Sequence, residues 1–154
     1  MTSNMSYMIM LCVAVILTLV PAGYGNAESD ALLVLKGSLT DPNGLLNNWD
    51  PSSLDPCLWF HVTCNAQKQV TQLLLPGANL GGRLVPNLQA LQNLDTLVIF
   101  NNRLTGPIPA EIATIPTLRA VDFSNNDFCG SISPGFDRLL IKRFDNNPRL
   151  GRPC

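Results

Sequence analysis

Charge is scarce in this chain of 154 residues: Asp, Glu, Lys and Arg make up 14% and cancel to a formal net charge of -1. A nucleic-acid binder carries a basic excess to meet phosphates, so neither nucleic acid nor a strongly charged partner is implied. Histidine occurs once, at His61, and no Ser/His/Asp setting, glycine-rich phosphate loop or His/Cys cluster with metal-ligand spacing is present. Asp95, Glu111, Asp122 and Asp127 are scattered, so no two carboxylates pair as a hydrolase needs. Catalysis, cofactors and metals are therefore not expected. Long hydrophobic runs are missing too. The apolar run from Met8 to Val20 has 13 residues, against about 20 needed to span a hydrocarbon core.

That run is followed by Pro21, Gly23, Gly25 and Ala27, and no Lys or Arg precedes Lys36. An apolar core ahead of small residues reads as a signal peptide over 1–27, cleaved after Ala27 with Gly25 at position -3. Its start offers only the α-amino group as positive charge. The mature chain would be secreted, to the extracellular space, the cell wall or the outer face of the plasma membrane. Removing the leader discards Cys12 and leaves Cys57, Cys64, Cys129 and Cys154, an even count that favours disulfides in an exported chain. Four cysteines allow three pairings. Separation along the chain favours Cys57 with Cys64, leaving Cys129 with Cys154 by elimination. The one Asn-x-Ser/Thr sequon, Asn4-Met5-Ser6, belongs to the leader, so N-glycosylation is not expected.

Self-similarity organises the rest. Gly82, Gly106 and Gly130 recur every 24 positions, and apolar residues fall into the same register: Val70, Leu94 and Leu118; Leu73, Leu97 and Val121; Leu75, Ile99 and Phe123; Leu80, Leu104 and Phe128. Leu84, Ile108 and Ile132 follow, then Leu88, Ile112 and Phe136, then Leu91, Ile115 and Leu139. A 24-residue period in L-x-x-L-x-L order lies within the leucine-rich-repeat range. The fold class is an α/β solenoid, a short right-handed leucine-rich-repeat coil of three repeats over 70–141. Asn102 and Asn126 occupy the turn after each short strand, where an amide can pair backbone groups inside the coil. Repeat one has Ala78 there and lacks that rung.

Leu104-Thr105-Gly106-Pro107-Ile108-Pro109 resembles the L-x-G-x-I-P signature of plant-type repeats, in which proline ends hydrogen bonding on the convex side; the other two repeats carry their proline one position late, at Pro86 and Pro134. A fourth period fails, because Lys142 takes the leucine phase and Asp145 the next, so the coil is expected to stop at three. Residues 142–154 then form a C-terminal cap over the open apolar end. Arg138, Lys142, Arg143, Arg149 and Arg152 gather in and just ahead of this stretch and read as a solvent-facing cap rather than a basic binding site. At the other end, 28–69 form an N-terminal cap. Glu28 to Leu39 is predicted as a helix with Leu32, Leu35 and Leu39 on one face, ended by Asp41-Pro42-Asn43-Gly44. Its disulfide element runs from Asp55 to Asn65.

From Glu28 to Cys154 the sequence closely resembles the ectodomain of the somatic embryogenesis receptor kinases and their short secreted relatives. The resemblance is carried by Asp30-Ala31-Leu32, Asp41-Pro42-Asn43, Trp49-Asp50-Pro51, Asp55 to Asn65, and a tail with Phe144, Asn146-Asn147 and Gly151-Arg152-Pro153-Cys154. Three departures stand out. The family has five repeats; it continues into a transmembrane helix and kinase where this chain stops at Cys154; and it places a cysteine after the leucine of Arg149-Leu150-Gly151. Cys154 therefore either finds Cys129 or stays free for an intermolecular bond.

In that family the Phe-His pair after the cap tryptophan contacts receptor-bound ligand, which implies a contact at Phe60 and His61. The competing reading is that Phe60 packs the cap and His61 covers it. The concave columns are Gln72, Leu74 and Pro76; Thr96, Val98 and Phe100; and Arg119 or Ala120, Asp122 and Ser124. Related co-receptors carry tyrosines there, whereas Thr96, Phe100 and Ser124 stand here and only Phe100 keeps a ring. Three strands at about 4.8 Å make a strip of roughly 15 Å, smaller than a standard interface, so binding must recruit the caps or be weak. Candidate partner-binding residues are Phe60, His61, Thr96, Val98, Phe100 and Asp122. Three functions compete: a module that binds a receptor-kinase ectodomain or its peptide ligand in defence or growth signalling, an inhibitor of secreted cell-wall-degrading enzymes, and a truncated paralogue without a partner.

Overall fold

The computed structural model describes residues 26–53 and 55–154. Of the expected leader, all but Asn26 and Ala27 lies outside the described residues. Asn26 caps helix α1 (Ala27–Ser38): its side chain accepts from the Glu28 N–H at 3.1 Å and its carbonyl from the Ser29 hydroxyl at 2.7 Å. Cleavage after Ala27 would remove that cap. The helix ends at Ser38 rather than Leu39 because Leu39 and Thr40 turn out of it to form β1 (Leu39–Thr40). Ser29, Ala31, Leu32 and Leu35 are its buried face, and Glu28 accepts the Val70 N–H at 3.0 Å, tying the helix to the first repeat.

The other strands are β2 (Val62–Cys64), β3 (Val70–Leu74), β4 (Gly81–Gly82), β5 (Thr96–Val98), β6 (Arg103–Pro107), β7 (Ala120–Asp122), β8 (Asp127–Gly130), β9 (Ile141–Arg143) and β10 (Arg149–Leu150). They build two sheets along the coil, ordered β2-β3-β5-β7-β9 and β1-β4-β6-β8-β10. Short 3-10 turns at Pro86–Ala90, Ala110–Thr114 and Pro134–Arg138 complete the three repeats. The first sheet is the concave one. Its parallel rungs, Gln72 with Thr96 and Thr96 with Ala120, repeat the 24-residue step and place Ala120 rather than Arg119 in the concave column. The second sheet was not foreseen, since three of its strands have only two residues and in Arg103–Pro107, where burial does alternate, Gly106 and Pro107 mask the pattern.

All residues of the aligned apolar columns are buried except Ile132. Each large aliphatic so covered stabilises the coil by about 1.5–3 kcal/mol relative to exposure. Gly82 adopts φ +90°, and a Cβ there would collide with the Ser38 carbonyl oxygen, so the repeat glycine is also where the N-terminal cap closes on the coil.

Asparagine amides hold successive turns together from inside. Asn102 Oδ1 accepts the N–H groups of Ala78 and Leu80 at 3.0 Å each, and its Nδ2 donates to the carbonyls of Leu75 and Ile99 at 2.8 and 2.9 Å. Repeat one therefore needs no rung of its own, because Asn102 reaches back to serve it. Asn126 accepts from Leu104 and donates to Ile99, Phe123 and Ser124. Asn147, not foreseen as a rung, accepts from Phe128 and donates to Phe123 and Phe144.

Asn147 belongs to a coil shortened to a 21-residue step. Val121 pairs with Lys142, and the left-handed positions Asn125 and Gly130 recur as Asn146 and Gly151. The next turn, absent at a step of 24, is thus present at 21, because the turn between Ile115 and Leu118 has no counterpart between Leu139 and β9. The tail continues both sheets, through β9 on β7 and β10 on β8.

Four phenylalanines seal this end. Phe123 lies 6.0 Å from Phe128, 6.1 Å from Phe136 and 5.8 Å from Phe144, centroid to centroid, and Phe144 comes from the tail. The Arg138 guanidinium donates to the carbonyls of Leu118, Ala113 and Ile115. Lys142, Arg143 and Arg149 lie within 4 Å of Asp137, Asp122 and Asp127 respectively. Disulfides join Cys57 to Cys64 and Cys129 to Cys154, with Cα separations of 5.6 and 5.2 Å, so Cys154 is not left free.

Replacing Asn126 by Ala strands the buried Leu104 N–H and takes one of two donors from each of the Ile99, Phe123 and Ser124 carbonyls, which keep Asn102, Asn147 and the Asn101 N–H. We expect a loss of about 3 kcal/mol in urea unfolding with the concave sheet retained, whereas a change below about 0.5 kcal/mol would show that water replaces the amide.

Candidate functional site

The N-terminal rim is built on two tryptophans. Trp49 and Trp59 stack with centroids 5.6 Å apart and planes 18° from parallel, and both are buried. Ahead of Trp59, Asp55 caps the 3-10 turn Pro56–Leu58 by accepting the Cys57 N–H at 3.0 Å, and its other oxygen meets Lys68 Nζ at 3.0 Å. These bonds hold the Asp55 carboxyl below its ordinary value, the Lys68 contact foremost and the Cys57 N–H next. The Cys57–Cys64 bond closes the loop from the other side.

Phe60 follows the buried Trp59 with its main chain held on both flanks: its N–H donates to Asn48 Oδ1 at 3.0 Å and its carbonyl accepts from Trp49 Nε1 at 2.9 Å. Its side chain is 63% exposed, so Phe60 does not pack the cap. His61 is exposed, adopts φ +69°, and its carbonyl accepts the Leu74 N–H at 3.0 Å. That bond places it at the head of a cross-strand row continued by Leu74, Val98, Asp122 and Arg143.

The adjacent row is Thr63, Gln72, Thr96, Ala120 and Ile141. Phe100, two residues beyond Val98 and so on the same side of the strand, is half-buried. Its carbonyl accepts the Gly77 N–H at 2.9 Å. Thr96 donates its hydroxyl to Asp95 at 2.8 Å, and Asp95 lies 3.4 Å from Arg119. Asp122 accepts both the N–H and the hydroxyl of Ser124, at 3.1 and 2.6 Å, and faces Arg143 at 3.8 Å.

The structure thus brings His61, Val98 and Asp122 into one row, sets Thr96 in the neighbouring row and Phe100 beside Val98, and leaves Phe60 projecting at the rim. The concave sheet is five strands wide rather than three, about 24 Å at 4.8 Å per strand, because each cap contributes one. Thr63, Ile141 and Arg143 were missed. The signal that would have found the last two is the 21-residue return of Asn and Gly.

A leucine-rich-repeat N-terminal domain model matches residues 25–65, and a leucine-rich-repeat model matches 93–115 and 117–139. Leucine-rich repeat protein 2 of Arabidopsis thaliana is 45% identical over 93 residues, 59% of this chain and 43% of that protein. The matches span 34% to 43% of the length of the first curated relatives. Among solved structures, the PEPR1–AtPEP1 crystal structure aligns with a TM-score of 0.72 at 28% identity, covering 78% of this chain and 18% of that one. The BIR3–SERK2 complex from Arabidopsis thaliana aligns with a TM-score of 0.69 at 29% identity, covering 76% and 67%.

Acid tests the rim's support. A carboxyl whose pKa is lowered on folding contributes stability that is complete above its unfolded value, 3.8 for Asp55, and is lost as pH falls through the lower folded value. Below about pH 4 the wild type should therefore lose more stability than Asp55→Asn does, measured by thermal unfolding from pH 6 to 2. Parallel curves would show that the carboxylate contributes nothing through this element.

Proposed function

Because the chain belongs to the plant leucine-rich-repeat proteins, we propose that it is an extracellular protein-binding module for the ectodomain of a plasma-membrane receptor kinase, or for the peptide such a receptor holds, in defence or growth signalling. The observation that carries this reading is Phe60, an exposed ring on a main chain bonded at its N–H and its carbonyl. An aromatic presented on a rigid frame loses little conformational entropy on binding and desolvates a large apolar area, as a hot spot requires.

His61 extends the contact from the rim onto the concave face, where Thr96, Val98, Phe100 and Asp122 meet the same partner. The apolar part of that face, Leu74, Val98 and Phe100, lies toward the rim, and the Asp122–Arg143 pair lies at the far end. Even five strands wide, the strip falls short of about 800 Å² per partner, so the rim has to take part. Two disulfides accord with an oxidising destination. Similarity to structures of PEPR1 with AtPEP1 and of BIR3 with SERK2 favours a receptor ectodomain as the partner.

The test is interferometry against immobilised PEPR1, BIR3 and SERK2 ectodomains. We expect the wild type to bind at least one with a Kd below about 100 μM and the Phe60→Ala/His61→Ala variant to bind at least about 10-fold more weakly at unchanged Tm. Equal binding by the variant removes the rim from the site, and no binding by the wild type removes the receptor reading.

A further inference from the structure

The rim carries a second exposed apolar side chain, and one residue outside the disulfide element fixes both. Leu58 is 70% exposed and Phe60 63%, while Trp59 between them is 3% exposed. This out-in-out order follows from the extended backbone of Trp59 (φ −83°, ψ 143°), in which neighbours of an inward side chain point outward. The Asn48 side chain holds it: Nδ2 donates to the Leu58 carbonyl at 3.2 Å and Oδ1 accepts the Phe60 N–H at 3.0 Å, so one amide bridges the main chain on both flanks of Trp59. A carboxamide carries a donor and an acceptor on one carbon, which suits it to this bridge. Aspartate would keep the bond to Phe60 and lose the one to Leu58.

The fold has other means of holding this loop. The Cys57–Cys64 bond, the Asp55–Lys68 pair and the Trp49–Trp59 stack all act on it without Asn48. What the amide adds is the direction in which residues 58 and 60 point.

We infer that Asn48 is the positioning residue of the contact site and that Leu58 is a second contact beside Phe60, so that the rim meets the receptor ectodomain with two apolar prongs rather than one. This rests on the reading of Phe60 given above. Such a pair fits a shallow apolar surface flanked by few charges, since neither prong carries a polar atom.

Two measurements test it. In the free protein, amide hydrogen exchange read by NMR should speed up at Phe60 in Asn48→Ala while Leu73 and Leu97, in β3 and β5, stay protected; unchanged exchange at Phe60 overturns the positioning role. With whichever of the PEPR1, BIR3 and SERK2 ectodomains binds the wild type, Asn48→Ala should weaken binding about 5- to 10-fold and by a smaller factor in a Phe60→Leu background, where the loss comes mainly through Leu58. Leu58→Ala should weaken binding in both backgrounds, and an unaltered Kd removes the second prong. If Asn48→Ala weakens binding equally in both backgrounds, or not at all while Phe60→Leu does, the inference falls and the Phe60 reading stands. If Phe60→Leu and Phe60→Ala both leave binding unchanged, that reading fails and takes the inference with it.

Discussion

A chain that turns back on itself every 24 residues sends peptide groups of each inner corner into an apolar interior, where an unpaired one costs about 1–3 kcal/mol. Short parallel strands pair only part of each turn. The corner between the two sheets is left to Asn102, Asn126 and Asn147, whose amides accept from one coil and donate to it and to the next. Much else follows from this one bond pattern. It fixes the distance between coils, so the apolar columns meet rung on rung; and it requires a left-handed residue just before each amide, met by Asn101, Asn125 and Asn146.

Aromatic residues appear where the repetition ends. Within the coil the core columns are aliphatic, but Phe123, Phe128 and Phe136 replace Ile99, Leu104 and Ile112 in the last repeat, and the tail adds Phe144. The shortened coil that follows brings only Phe144 and Leu150 against this core, and a ring buries more area per residue than a leucine. The N-terminal end uses the Trp49–Trp59 stack in the same way. Both ends leave apolar side chains in water, Leu58 and Phe60 at the N-terminal rim and Leu140 and Ile141 at the other. They differ in charge: at the C-terminal end charged groups face one another beside those side chains, as in Arg143 with Asp122 and Arg149 with Asp127.

Periodicity decided how much of this could be read from residues alone. The apolar columns, the repeat glycine and the Asn102 and Asn126 rungs were legible because a fixed step repeats them, and all but Ile132 of those apolar positions are buried. The shortened coil was hidden by that same rule: a step of 24 lands on Lys142 and Asp145, although Asn125, Asn126 and Gly130 return 21 residues later as Asn146, Asn147 and Gly151. The second sheet was invisible for a different reason, since three of its strands have only two residues and the longest, though alternating in burial, contains Gly106 and Pro107, which read as turn residues. At the rim, Phe60 and His61 could be singled out only through a family resemblance. Asn48 occupies no repeat column and was out of reach of any periodic search.

The distribution of rigidity bears on where binding energy can come from. Along the concave face most polar side chains are already spent: Thr96 on Asp95, Asp122 on Ser124 and Arg143, Asp95 on Arg119. A partner meeting these groups exchanges one set of hydrogen bonds for another and gains little net free energy. Among the described residues, Leu58 and Phe60 leave most of their surface to water. Covering it returns the full transfer free energy, and the fixed main chain around Phe60 limits the entropy lost in doing so. The concave rows are thereby suited to setting orientation and selectivity, and the apolar rim to supplying affinity.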